Sequence, residues 1–250
     1  ITVVDQIPVL SYSPDVLELT NNTASLDLPL HSTLTGPGEI TSWEINAALP
    51  NGILFGGNNG TIWGTPTELW PITSYTVWAN NTGGSTNATL TINVIDQVPT
   101  DVFYSPSDLS LINNTASNYL PLSPLFTGPG EITSWEINAT LPSGISFSTN
   151  NGTIWGTPTE LWPTTGYTVW ANNSGGSVSL EVNITVLDQV PSFTYNPSDL
   201  QLMNNTASLD LPLVPQLSGS GEIMTWEINA TLPNGVSFGA NNGTFWGTPT

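Results

Sequence analysis

The sequence predicts an all-β fold built from tandem antiparallel β-sandwiches, each about 92 residues long. Residues 43–67 return almost letter for letter as residues 135–159 and again as residues 226–250. Within each copy, short segments alternate apolar and polar residues, and Gly, Pro and Asn separate them, as in strands joined by turns. No segment shows the 3.6-residue apolar period of a helix. We therefore expect two-sheet sandwiches arranged in series.

A second landmark sets the repeat boundaries. The segment Asp-Gln-Ile-Pro at residues 5–8 returns as Asp-Gln-Val-Pro at residues 96–99 and 188–191. This spacing predicts repeats at residues 7–97, 98–189 and 190–250. Residues 1–6 match residues 184–189 and are predicted to be the last strand of a preceding repeat. The third copy lacks the counterpart of residues 160–183, so its final strands come either from a longer array or from a neighbouring subunit.

Individual strands follow from the alternation of apolar and polar residues. Residues 17–19 and 26–28 alternate apolar and acidic residues and are predicted to be half-buried strands. Along residues 40–47, Trp43 and Ile45 share the face expected to enter the core, and their counterparts Trp135 and Trp226 should do the same. Residues 53–55, 61–63, 75–79 and 89–95 are the other predicted strands. Asn58-Asn59-Gly60 predicts a hairpin turn between two of them.

The charge balance excludes several classes of partner. The chain has a formal net charge of −19, no Lys or Arg, and no Cys. Binding of nucleic acid or phosphate groups depends on Lys and Arg, so neither is expected. Disulfides, zinc–thiolate sites and thiol chemistry are excluded by the absence of cysteine. No apolar run approaches the roughly 20 residues that span a bilayer, so we expect no membrane insertion by this segment.

The motifs around the hairpin resemble a known family. Leu49-Pro50-Asn51-Gly52 with Phe55, followed by Gly-Thr-Ile-Trp-Gly-Thr-Pro-Thr at residues 60–67, is similar to the "putative-Ig" repeats of archaeal and bacterial cell-surface proteins. The resemblance covers essentially the whole chain. It implies Ig-like, cadherin-like sandwiches that act as spacers or binding modules at the cell surface. Trp63 departs from the family pattern, which has a small polar residue at that position.

The frequency of Asn-x-Ser/Thr sequences indicates N-glycosylation. Asn-Gly and Asn-Asn also form turns, which is a sufficient explanation for a site such as Asn59 but a poor one for twelve sites. N-linked glycans would hydrate a surface that has few charges. The predicted sites are Asn21, Asn59, Asn80, Asn87, Asn113, Asn138, Asn151, Asn172, Asn183, Asn204, Asn229 and Asn242.

The cadherin-like resemblance implies calcium at the junctions between repeats, although no cofactor is required by the sequence itself. Calcium takes six to eight oxygen ligands, and the Asp-Gln-x-Pro segment offers few. The alternative is an Asp at the end of a strand that accepts backbone N–H groups. The candidate calcium ligands are Asp5, Asp96, Asp188, Glu68 and Glu160.

Five tryptophans are expected to point outward because their neighbours Ile62 and Val77, and the counterparts of these, should point inward. Such side chains form contacts with partner chains or sugars, or they cover one another or a glycan on the same chain. Both alternatives remain open. These candidate contact residues, near Trp70 or its counterpart, are Trp63, Trp78, Trp155, Trp170 and Trp246.

Catalysis is not expected. The one histidine, His31, aligns with Ser123 in the next repeat, and the Glu39 and Glu44 pair recurs in near-identical surroundings, which indicates a repeated solvated face. The function predicted is an extracellular, glycosylated structural protein whose sandwiches join end to end with copies of themselves or neighbouring repeats in a fibre or stalk. The alternative is an adhesin that binds carbohydrate through outward tryptophans.

Overall fold

The computed structural model describes residues 1–219 and 221–250 of the chain. The described residues form strands and turns, and the first two repeats have the same order of eight strands. The first repeat contains β1 Val9–Ser11, β2 Val16–Thr20, β3 Thr33–Thr35, β4 Ser42–Ile45, β5 Ile53–Phe55, β6 Ile62–Gly64, β7 Trp70–Asn81 and β8 Gly84–Ile95. The second contains β9 Val102–Phe103, β10 Asp108–Ile112, β11 Leu125–Phe126, β12 Ser134–Ile137, β13 Ile145–Phe147, β14 Ile154–Gly156, β15 Trp162–Asn173 and β16 Gly176–Leu187.

One layer of each of the first two sandwiches is a four-stranded sheet, in the order β2-β8-β7-β4 and β10-β16-β15-β12. The hairpin β7–β8 runs from the pair Asn81 and Gly84 to the pair Trp70 and Val94. The other layer contains the pairs β1–β3 and β5–β6, joined by a bridge between Leu30 and Ile62. This arrangement confirms the prediction of a two-sheet sandwich with no helix in the described part of the chain.

The prediction of purely antiparallel pairing is wrong at one edge. Strand β2 runs parallel to β8, and β10 runs parallel to β16. The reason is a change of layer. Strand β1 pairs with β3 in one layer, and the chain then crosses to the other layer before β2 begins, so no hairpin reverses its direction.

The core lies between the two layers. Leu17 and Leu19 of β2 are fully buried, as are Val77 of β7 and Ile62 of β6. Burial of one such side chain contributes about 1.5–3 kcal/mol to stability. Trp43, Trp135 and Trp226 are 8%, 3% and 9% exposed, which confirms their predicted place in the core.

The predicted strand at residues 26–28 is wrong. Leu26 is fully exposed and lies in a turn. The hydroxyl of Ser25 accepts the backbone N–H of Asp27 at 3.1 Å. This local side-chain bond satisfies a group that a strand would pair with its neighbour, so the segment turns instead.

The third repeat contains β17 Phe193–Thr194, β18 Gln216–Leu217, β19 Val236–Phe238 and β20 Phe245–Gly247. Its described strands form the pairs β17–β18 and β19–β20. Trp226 and Leu213 are buried, whereas Ile228 is exposed. Residues 1–6 form no strand, whereas the counterparts of residues 1–4 lie at the end of β16, which pairs with β10 and β15. Assignment of residues 1–6 to a preceding repeat stays a prediction, as do the predicted boundaries.

Candidate functional site: the repeat junction and the tryptophan hairpins

Asp96 is hydrogen-bonded within the junction through one oxygen of its carboxylate and to the second repeat through the other. Its Oδ1 accepts the backbone N–H of Gln97 at 2.8 Å, and its Oδ2 accepts the backbone N–H of Glu131 at 2.9 Å. The backbone N–H of Asp96 donates to Ser174 Oγ at 2.9 Å. Asp96 is only 9% exposed, so water competes weakly for these bonds. A hydrogen bond to a charged group contributes about 1.5–3 kcal/mol.

Gln97 contacts both repeats as well, and the sequence reading did not identify it. Its side-chain Nε2 donates to the carbonyl oxygen of Asn21 in the first repeat at 3.0 Å. Its carbonyl oxygen accepts Nδ2 of Asn173 in the second repeat at 2.6 Å. The signal for this role is the recurrence of Gln after Asp at every junction. The two-residue junction is therefore hydrogen-bonded to both of its neighbours.

Three of these five contacts recur at the next junction. Asp188 accepts the backbone N–H groups of Gln189 at 2.8 Å and Glu222 at 3.1 Å. Gln189 Nε2 donates to the carbonyl oxygen of Asn113 at 3.0 Å. Because these hydrogen bonds recur at both junctions, they are a property of the Asp-Gln segment itself.

Asp5, in the first copy of the segment, differs in one respect. Its backbone N–H donates to Thr82 Oγ1 at 3.1 Å, and Gln6 O accepts Nδ2 of Asn81 at 2.7 Å. These two bonds match those around Asp96. The carboxylate of Asp5, however, is exposed, whereas that of Asp96 is held by two N–H groups. Asp5 is therefore a natural control for the role of the Asp96 side chain.

Four of the five predicted calcium ligands, all except Asp5, accept backbone amide N–H groups with their carboxylates. Glu68 Oε1 accepts the N–H of Asn51, and Glu160 Oε1 accepts the N–H of Ser143, each at 2.7 Å. The N–H of Ser143 lowers the pKa of the Glu160 carboxyl below its ordinary value. Within residues 1–219 and 221–250, no three His, Cys, Asp or Glu side chains come together as a metal site would require. Calcium takes six to eight converging oxygens, so calcium at the junction stays a prediction.

The outward tryptophans lie on two different layers. Trp63, Trp155 and Trp246 are 38%, 42% and 44% exposed. They belong to the hairpins β5–β6, β13–β14 and β19–β20. Trp78 and Trp170 are half-buried in the four-stranded sheets, facing away from the core residues beside them.

The expected cluster of outward tryptophans with Trp70 does not form. Trp70 and Trp162 pack against the core clusters. Trp63 and Trp78 point outward from opposite layers of one sandwich. The difference arises because sequence spacing shows which residues alternate, but not which layer a strand joins.

None of the twelve predicted glycosylation asparagines is buried. Five are partly exposed, namely Asn21, Asn80, Asn113, Asn172 and Asn183. Seven are exposed, namely Asn59, Asn87, Asn138, Asn151, Asn204, Asn229 and Asn242. Accessibility is necessary for a glycan but does not establish one, so glycosylation stays a prediction.

The Asn-Gly hairpins are held in place by a tyrosine that the sequence reading missed. The hydroxyl of Tyr12 donates to the carbonyl oxygen of Gly60 at 2.6 Å. Tyr104 bonds Gly152, and Tyr195 bonds Gly243, in the same way. Burial raises the pKa of Tyr12 to about 12, because the charged form loses its hydration. The available signal was the recurrence of a tyrosine 48 residues before each of these glycines.

His31 has a structural role in the same region. Its Nδ1 lies 3.2 Å from Thr61 Oγ1, and in the second repeat Ser123 Oγ lies 3.0 Å from Thr153 Oγ1. A serine replaces the histidine while the contact is kept. This exchange is typical of a group that supports a hairpin.

Comparison with known proteins identifies the family. The family model described as "Putative Ig domain" matches residues 7–95 and 100–187. The chain belongs to this family. It is a tandem array of Ig-like domains, in agreement with the sandwich fold described above.

Curated relatives include adhesins. The chain is 28% identical over 154 residues to the "Serine-rich adhesin for platelets" of Staphylococcus aureus strain MRSA252, which covers 60% of this chain and 11% of that protein. The same adhesin from strain USA300 is also 28% identical, and the match covers 6% of its length. The Ig-like array thus spans a small part of the curated relatives that it matches.

Solved cadherin structures are also similar. Drosophila N-cadherin EC1-3 gives a TM-score of 0.44 at 14% identity, covering 93% of this chain and 84% of that one. Human CDH23 EC21-23 gives a TM-score of 0.37 at 13% identity, covering 98% of this chain and 91% of that one. The described part of the chain contains no candidate membrane-spanning helix.

Proposed function

We propose that the chain is a segment of an extracellular, glycosylated stalk or fibre at a cell surface. The observation that supports this most is the Asp-Gln junction, which bonds the repeats on both of its sides at Asp96 and again at Asp188. Such junctions limit bending between successive sandwiches. The free energy of unfolding of an array is then approximately the sum of the intrinsic stabilities of its repeats and the interaction energies between neighbouring repeats.

Glycosylation and the amino-acid composition would both suit a stalk that is exposed outside the cell. With twelve accessible Asn-x-Ser/Thr sites, glycans would hydrate a chain in which charged residues make up only 8%. The absence of Lys and Arg also removes every cleavage site for trypsin-like proteases. Resistance to such proteases suits a stalk that is exposed outside the cell.

Electron microscopy of protein from its native source tests this function. We expect beaded fibres or stalks with one bead for each sandwich. Dispersed compact particles, with no end-to-end arrangement, would count against a structural role. Mass spectrometry of the same material tests glycosylation separately, because a mass equal to that of the bare chain would exclude it.

The second candidate is an adhesin that binds foreign carbohydrate. It is favoured by the exposed indoles of Trp63 and Trp155 and by the similarity to surface adhesins. In this case a glycan array should give a signal that is lost when both tryptophans are replaced by Ser. A signal that persists in that variant would show that these tryptophans do not bind the carbohydrate.

A further inference from the structure

The hairpin β5–β6 of the first repeat opens into a concave pocket with a volume of about 540 Å³. Trp63, Phe55 and His31 contribute the ring surfaces of the pocket, and Asn58 and Asn59 contribute amide groups. The volume lies within the range of about 300–1,000 Å³ that is typical of small-molecule sites. Aromatic surface beside amide groups is the combination that a sugar ring requires.

The predicted glycosylation site is part of this pocket. The side chain of Asn59 and the ring of Trp63 meet over Gly56, where an added Cβ would lie 2.3 Å from Asn59 Oδ1 and 3.2 Å from Trp63 Cζ3. The same arrangement recurs in the third repeat, with distances of 2.1 Å to Asn242 Oδ1 and 3.1 Å to Trp246 Cζ3 at Gly239. The indole is therefore next to the carboxamide that would bear a glycan.

The orientation of Asn59 is also fixed. Its Oδ1 accepts the backbone N–H of Thr61 at 3.1 Å, and the same bond occurs at Asn151 and Asn242. The backbone carbonyl of Asn59 accepts Ser32 Oγ at 3.0 Å, and the bond from Tyr12 to Gly60 secures the next residue. Since Oδ1 is held by the backbone, Nδ2, the atom to which a glycan attaches, is the free end of the carboxamide.

We propose that the pocket beside Trp63 is the seat of the first pyranose ring of a glycan attached to Asn59. One face of that ring packs its C–H groups on the indole, and its hydroxyl groups face His31 and Asn58. Trp246 serves Asn242 in the same way in the third repeat. This inference rests on the glycosylation in the proposed function, and it explains why these exposed indoles need no foreign partner.

A further tryptophan on the other layer supports the pairing. In the hairpin β7–β8, Trp78 lies directly opposite Asn87, another predicted glycosylation site. Its counterpart Trp170 lies opposite Ser179, which cannot bear an N-glycan. Trp170 therefore provides a matched control, an outward tryptophan without an asparagine across the hairpin.

The test compares the full chain made in a host that attaches N-glycans with the same chain made in a host that does not. Glycopeptide mass spectrometry first confirms a sugar on Asn59. We then expect the C–H protons of that sugar to shift upfield in NMR spectra and to show nuclear Overhauser effects to the Trp63 indole. Both signals should be lost in the Trp63→Ser variant and kept in Trp170→Ser.

Stability gives a second measurement on the same samples. The glycan should raise the unfolding midpoint of the wild-type chain and of Trp170→Ser more than that of Trp63→Ser. Sugar protons with the shifts of a free glycopeptide, or an equal gain in midpoint in all three chains, would overturn the proposal. So would binding of a free methyl glycoside by the bare chain at Trp63 when the glycosylated chain shows no such contact.

Analysis of native protein separates this inference from the proposed function. If Asn59 carries no glycan while other predicted sites do, the proposed sugar position beside Trp63 is wrong, but the proposal of a glycosylated stalk is unaffected. If every site is bare, glycosylation itself is wrong and the seat fails with it.

Discussion

Replacing Asp96 by Asn should weaken the connection between the first two repeats. The carboxylate accepts N–H groups on both of its oxygens, from Gln97 and from Glu131. An asparagine has only one oxygen, so its NH₂ group must face one of the two N–H donors. The loss of one charge-assisted bond costs about 1.5–3 kcal/mol. Since 1.4 kcal/mol corresponds to a factor of ten, the opening equilibrium should increase by about 10- to 150-fold.

Amide hydrogen exchange measures this effect at the junction itself. The N–H groups of Gln97 and Glu131 should exchange faster in Asp96→Asn by about the factor given above, because local opening controls their protection. The interior of the hairpin β7–β8 should keep its exchange rates. The matched control is Asp5→Asn, the same change in a carboxylate that is exposed. Unchanged exchange in Asp96→Asn, or equal effects in both variants, would refute the role given to this side chain.

Three further predictions concern the hairpin and its tyrosine. Gly60→Ala should lower the free energy of unfolding by about 2–4 kcal/mol, because Gly60 has a φ of 67° and an added Cβ would lie 2.4 Å from the Trp43 ring. Gly57→Ala should leave the stability unchanged, because a Cβ at that position has no atom within 4 Å. Urea unfolding of the two variants checks this difference. Tyr12→Phe should cost about 1–3 kcal/mol, because the carbonyl oxygen of Gly60 loses its donor, and thermal unfolding with unchanged stability would contradict it. Burial raises the pKa of Tyr12 to about 12 from 10.0 and raises the pKa of Tyr104 too. The folded state therefore favours the neutral phenols, and this contribution to stability is complete below pH 10 and is lost as the pH rises towards 12, which denaturant unfolding across that range would detect.

The alternation of residues predicted the faces of the strands well. Ile62 is fully buried and its neighbour Trp63 is exposed, as the two-residue period requires. The same period failed at Leu26, which lies in a turn where the backbone N–H of Asp27 donates to the Ser25 hydroxyl. Alternation of apolar and polar residues predicts which side chains of a strand are buried, but it does not show whether the segment forms a turn instead.

Pairing between distant strands could not be read from the sequence. The parallel pair of β2 and β8 depends on a crossing between layers, and nothing in residues 16–20 indicates its direction. The separation of Trp63 from Trp78 has the same cause. Long-range partners are fixed by three-dimensional packing, which a single sequence does not show.

The junction and the hairpin were foreseen only in part. Asp96 was predicted either to bind calcium or to accept backbone N–H groups, and the structure shows it accepting two such groups. Gln97 and Tyr12 were missed, although both recur in every copy. Their partners lie 76 and 48 residues away, so the repeats indicated that they matter but not what they bind.

We expect the hydrogen bonds at the Asp-Gln junction to hold successive Ig-like domains in one orientation without a metal. Residual dipolar couplings of the first and second repeats test it most directly, when recorded with added calcium and again with a chelator. We expect one common alignment tensor for both repeats, unchanged by the chelator. Two independent tensors, or a shared tensor that is lost on chelation, would contradict the account.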